Sequence, residues 1–239
     1  MACRAVTTWR GRELTPGGAR AAGTRDATGI LDWTSLEVAA LDEEVSVRES
    51  GTSLLRVAYR SVQHRIRAVY ALDDTQPTSR TIARARGSCS QRLAVVESLA
   101  RRNGVATRVE GLVLRGEFWY PRFRCQRPLV PDRVLIAWPS FHVDGEWIDA
   151  SAAFSEQGCT ASAPFTNSGA ETLFDAAGRS PISWSAATTS SACLDLSDHV
   201  VQSLGTFDSR DDLFARYGQT LARPVRTVLE PFWSRWGAG

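Results

Sequence analysis

The chain of 239 residues contains no lysine; all 28 of its basic residues are arginine. Two readings fit that absence: a GC-rich bacterial genome, or avoidance of self-modification at lysine amines. Set against 26 acidic residues, the arginines leave a formal net charge of only +2. That is too small to point to a nucleic-acid partner, and there is neither an RNA-binding signature nor a Gly-rich phosphate loop. Long apolar runs are also missing: none approaches the roughly 18 residues that span a bilayer, so no membrane partner is expected. Five cysteines (Cys3, Cys89, Cys125, Cys159 and Cys193) are widely spaced. Without a CxxC pair they suggest no zinc. Their odd number, with no apolar signal segment, fits a reducing cytoplasm. Histidine is scarce, being limited to His64, His142 and His199.

What is present reads as one soluble domain with appendages. Residues 1–28 are rich in Arg, Ala, Gly and Thr without a period, as in a disordered tail or a start placed too early. Residues 29–239 then form a single domain with its core at about 54–154 and a helical C-terminal extension. Ile30 to Val47 suggests a short helix or an edge element. Leu55, Ala58, Tyr59, Val62, Ile66, Val69 and Tyr70 recur at helical spacing, predicting an amphipathic helix from Leu54 to Leu72 that Asp73, Asp74 and Pro77 end. After a helical turn over Ser79 to Ala85, Gly87 breaks the chain. Leu93, Val96, Leu99 and Ala100 mark a second helix, closed by Asn103-Gly104. Val105 to Leu114 alternates as a strand. Gly116 to Pro131 reads as an irregular, aromatic-rich loop. Val134 to Val143 and Glu146 to Ala150 form a hairpin about a type I′ turn at Asp144-Gly145. A short helix at Glu171 to Ala177 and a helical stretch from Arg210 to Trp236, interrupted near Pro224 and Pro231, complete an α+β pattern with an antiparallel sheet packed on helices.

Cys89 stands where a Gly-led loop becomes a helix. There the unpaired N–H groups and the helix dipole favour a thiolate and can hold an oxyanion. The segment RGSCSQRLAVVESLARRNGVATRVEG resembles the core of transglutaminase-like (papain-like) cysteine enzymes. In that family a Gly-x-Cys opens the central helix, and a small segment, here Gly104-Val105-Ala106-Thr107-Arg108, leads into the sheet. The family's His-Ala-Trp strand, Asp-Gly hairpin and following Asp have counterparts here. They are Ile136-Ala137-Trp138-Pro139, Asp144-Gly145-Glu146-Trp147 and Asp149-Ala150-Ser151. The likeness covers roughly residues 54 to 154. It implies a Cys nucleophile, a thioester intermediate and no cofactor.

The resemblance fails at one position: Ile136 stands where the family has its catalytic His. His142 is the best substitute base. In a two-residue turn it pairs with Trp147, two residues from Asp149, so His142 and Asp149 share a face. Yet six strand residues, roughly 20 Å, separate His142 from Ile136. The family's Asp corresponds to Asp149 or to the site held by Ser151. Trp119, Tyr120, Arg122 and Trp138 are candidates for the substrate wall, with Arg122 or Arg124 holding a carboxylate. The alternative is that these aromatics pin their own loop or pack in the core. The expected function is a cysteine hydrolase or acyltransferase acting on a peptide or small amide or acyl substrate. Specialised bacterial metabolism is a plausible setting by fold-level analogy. The alternative is an inactive scaffold of this fold that binds a peptide or protein partner.

Overall fold

The computed structural model describes residues 7, 14–16, 21–45, 50–155, 164–185, 194–233 and 237. Cys3, Cys159 and Cys193, and residues 234–236 of the expected C-terminal helix, lie outside them.

Helices α1 (Leu36–Val45) and α2 (Gly51–Arg65) come first, then the short strand β1 (Arg67–Ala68) and helix α3 (Thr78–Ala83). Strand β2 (Arg86–Gly87) runs straight into helix α4 (Cys89–Arg102). Strands β3 (Thr107–Arg115), β4 (Arg133–Val143) and β5 (Glu146–Asp149) follow, then helices α5 (Ala150–Phe154) and α6 (Leu173–Arg179). The remainder comprises β6 (Ile182–Ser183), β7 (Leu194–Asp195), β8 (Val200–Phe207), α7 (Arg210–Tyr217) and α8 (Arg223–Trp233). The main sheet is antiparallel in the order β5-β4-β3-β8. The fold is therefore α+β, an antiparallel sheet on helices with a cysteine at the N-terminus of the central helix. That is the arrangement the sequence resemblance implies.

Alternation sends the strand side chains to two packed faces. Leu112, Leu114, Ile136 and Trp138 join the larger core with the helices, whereas Val109, Val113, Leu135 and Ala137 meet Leu213 and Phe214 of α7. Helix α4 is buried over every residue from Gln91 to Arg101. Its polar residues are buried with partners, as burial of such groups requires. Arg101 donates to Thr107 Oγ1 and to the Asp26 and Asp208 carbonyls. Glu97 accepts from Arg210, and Ser98 meets the Thr78 hydroxyl.

Several elements differ from expectation. The α2 helix stops at Arg65, because Ile66 turns extended and Arg67-Ala68 pairs in parallel with Arg86-Gly87. The apolar spacing of Ile66 and Val69 reflects burial in the core without helical backbone. Ala150, expected at the end of a strand, opens α5, because the Asp149 side chain accepts from the Ser151 and Ala152 N–H groups as an N-cap. Strand β8 was not anticipated. Within the expected tail, Thr24 pairs with Thr107, and Asp26 holds Arg101. Among the described residues no helix is long and apolar enough to cross a membrane, and no group of His, Cys, Asp and Glu could hold a metal ion.

Candidate active site

Three local devices fix the loop that carries Cys89. Ser88 and Gln91 form a reciprocal capping box: Gln91 N–H donates to Ser88 Oγ at 3.2 Å and Ser88 N–H to Gln91 Oε1 at 3.1 Å. The Gln91 amide also donates to the Asp73 carbonyl at 2.8 Å. Gly87 is needed for close approach, since a Cβ there would lie 2.9 Å from Thr81 Cγ2 and 3.2 Å from Gln91 Cβ. Val69 N–H donates to the Gly87 carbonyl at 3.1 Å, which lays residues 69–74 beside the cysteine loop.

Cys89 is a free, half-buried thiol at the first position of α4. The helix supplies no acceptor for the N–H groups of its first turn, so the local field favours an anion. The thiol opens onto a cleft of about 220 Å³. Residues 69–72 form one wall, Ile136, Ala137 and Trp138 of β4 another, and Trp119, Arg122 and Phe123 a third. Helix α8 closes the remaining side with Leu229 and Trp233. Trp233 packs on Phe123 with ring centroids 5.1 Å apart, and Arg226 of the same helix pairs with Asp73 at 3.2 Å. Trp138 is buried edge-on against Trp184, and its indole N–H finds no acceptor among the described residues.

Of the residues singled out from sequence, Cys89, Trp119, Arg122 and Trp138 line the cleft together. His142, Asp149 and Tyr120 do not line it. The hairpin register is as expected, with His142 opposite Trp147 and Ser140 opposite Asp149. That same register carries His142 away along the strand: its backbone N–H donates to the Ala106 carbonyl, and its ring packs on Trp147 at 5.1 Å. Ile136 lines the cleft instead. The Asp149 carboxylate caps α5 and also accepts from Ser151 Oγ at 2.6 Å. Tyr120 lies under the Arg127 guanidinium. Arg122 donates to Asn167 Oδ1, the Tyr70 hydroxyl and the Gly169 and Glu171 carbonyls, so it pins the 167–171 loop. The other two histidines are elsewhere: His64 is exposed on α2, and His199 packs on Phe118 just before β8.

Asp74 is the cleft carboxyl that sequence reasoning missed. It is half-buried and lines the cleft. Its backbone N–H donates to Gln219 Oε1 at 2.8 Å, and its carboxyl accepts from Ser90. Burial, with a smaller push from Asp73, raises its pKa to about 6 against the opposing Ser90 bond and the charges of Arg210 and Arg226. Its place after a run of helical spacing made it look like a helix stop. Nothing local reveals that residues 69–74 return beside the thiol.

No protein-family model matches the chain, and no curated protein sequence matches it. A structure search finds a "putative cysteine protease" from Cytophaga hutchinsonii, at 13% identity and a TM-score of 0.40. The match covers 52% of this chain and 39% of that one.

Proposed function

We propose that the chain is a transglutaminase-like cysteine enzyme that takes an apolar acyl group from an amide or ester onto Cys89 and passes it to water or an amine. The observation that carries this reading is the placement of a free thiol at the start of a buried helix, opening into a largely apolar cleft. The thiolate attacks the carbonyl carbon, and the backbone N–H groups of Cys89 and Ser90, which the capping box does not take up, receive the oxyanion. The indole N–H of Trp138, on the β4 wall of the cleft, is a further donor without a partner among the described residues. The leaving amine or alcohol departs with a proton as the thioester forms, and attack by water or amine frees the thiol. With Ile136 in the family's histidine position, Asp74 brings a carboxyl to the cleft.

A second reading is a binding scaffold without turnover, and Ile136 supports it. An aliphatic side chain accepts no proton from the thiol and gives none to a leaving group. Release of nitrophenol from the p-nitrophenyl ester of an apolar acid tests the two. The enzyme reading expects a burst equal to the protein concentration that Cys89→Ala abolishes. The scaffold reading expects no burst from the native chain and a gain on Ile136→His.

A further inference from the structure

The two guanidiniums whose charges act on Asp74 each bond to a different carboxylate. Arg210 donates to Glu97 at 2.6 Å with both side chains fully buried, and Arg226 pairs with Asp73. Asp74 itself forms no ion pair among the described residues, and the hydroxyl of Ser90 is the donor on its carboxyl. The donors of Arg122, the cleft's own guanidinium, are directed to the 167–171 loop and Tyr70. The remaining walls are dominated by Tyr70, Trp119, Phe123, Trp138, Leu229 and Trp233. A carboxylate in such surroundings is poorly solvated, and it lowers its free energy most by meeting a cation inside the same volume. Aromatic walls add to the attraction for a cation with an apolar body. About 220 Å³ is below the size of a drug-binding pocket, so an amine that shares it with an acyl group on Cys89 must be small.

We infer that the cleft holds a small apolar amine, its ammonium group donating to Asp74 and its hydrocarbon body lying against the tryptophans. The inference deepens the acyl-transfer reading, in which this amine is the acceptor. The ammonium gives one proton to the Asp74 carboxylate. The free amine then attacks the thioester carbonyl, the C–N bond forms as the C–S bond breaks, and the proton lost by nitrogen goes to the departing Cys89 thiolate.

Binding tests the inference without turnover, so it stands or falls separately from the chemistry at Cys89. Tryptophan fluorescence of the full chain carrying Cys89→Ala is titrated at pH 7.5 with benzylamine, benzyl alcohol and benzoate. Benzylamine should bind at least tenfold more tightly than benzyl alcohol, and benzoate most weakly. Adding Asp74→Asn should bring benzylamine to within about twofold of the alcohol while leaving the alcohol unchanged. A second measurement needs no substitution at Asp74. Between pH 7.5 and pH 5 the preference for benzylamine should shrink as the carboxyl protonates. Asp73, Glu230, Arg210, Arg226, Arg122, Tyr70 and the thiol are the other charged or titratable groups about it. The arginines keep their charge throughout. Glu230, which accepts from Leu72 N–H and is also raised by burial, is controlled by repeating the pH series in Glu230→Gln, where the loss of preference should persist. Equal binding of amine and alcohol at pH 7.5, a preference untouched by Asp74→Asn or by acid, or tightest binding of benzoate would overturn the inference.

Discussion

The pair Glu97–Arg210 joins the central helix to α7, and breaking it should be costly in a way that depends on pH. Arg210 Nε lies 2.6 Å from Glu97 Oε1, and both side chains are fully buried. The same guanidinium donates to Ser90 Oγ and to the Ala137 carbonyl. The other carboxylate oxygen, Glu97 Oε2, has no partner among the described residues. Burial already pushes the Glu97 carboxyl up from its ordinary value, with Arg210 and Arg101 opposing. Arg210→Met removes the main opposing charge and leaves an unpaired carboxyl in the core, at a cost of about 3–5 kcal/mol. With a urea slope of about 2 kcal/mol per molar, the midpoint should fall by roughly 1.5–2.5 M. The carboxyl of the variant, with its pKa raised further, is favoured in the protonated form. Its contribution is intact at low pH and is lost as pH rises through the native value, so the deficit should be larger at pH 8 than at pH 5. Replacing both partners, Glu97→Met with Arg210→Met, should recover stability to within about 1 kcal/mol of the native chain, because neither member of the pair is then left in the core without the other. A single variant costing under about 1 kcal/mol, or a double variant no better than the single, would refute this reasoning.

Three further outcomes follow from the same geometry. Iodoacetamide near pH 7 should label Cys89 faster than Cys125, although Cys125 is the more exposed; mass mapping of a timed reaction showing the reverse order would contradict a helix-start thiolate. Asp74→Asn should raise stability at pH 8 by up to about 3 kcal/mol and leave it nearly unchanged at pH 3.5, because a carboxyl with a raised pKa loses its contribution as pH climbs through about 6. An equal effect at both pH values in urea melts would remove that explanation. Gly178→Ala should lower stability by about 1–3 kcal/mol in thermal melts. A Cβ there would come within 2.3 Å of the Tyr59 ring, which is stacked between Phe154 and Phe174 and cannot swing away; an unchanged melting temperature would show that the ring yields.

The features legible in the sequence are those with local causes. The start of α4 follows from Ser88 and Gln91, and its end from Gly104, whose φ of +79° suits glycine. The hairpin follows from Asp144 and Gly145, both with positive φ, and its register fixes that Ile136 reaches the cleft. The features that escaped depend on distant partners. Strand β8 carries Gly205 and Ser203 in a weak alternation, and it forms only by pairing with β3 about ninety residues earlier. The cleft carboxyl Asp74 is positioned by the Val69–Gly87 hydrogen bond and by Gln219, neither of which leaves a mark on its neighbours in sequence. The polar residues of α4 point the same way. Arg92 is buried on Phe174 beside Asp175, partners about eighty residues later in the chain.

The central claim is that Cys89 carries an acyl group. The intact mass of the native chain, recorded within seconds of mixing with the p-nitrophenyl ester of an apolar acid and quenching in acid, reports it most directly. The account predicts one added acyl group, mapped by proteolysis to the peptide containing Cys89 and absent from Cys89→Ala. An unmodified native chain, or an acyl group found on another residue while Cys89 stays free, would contradict it.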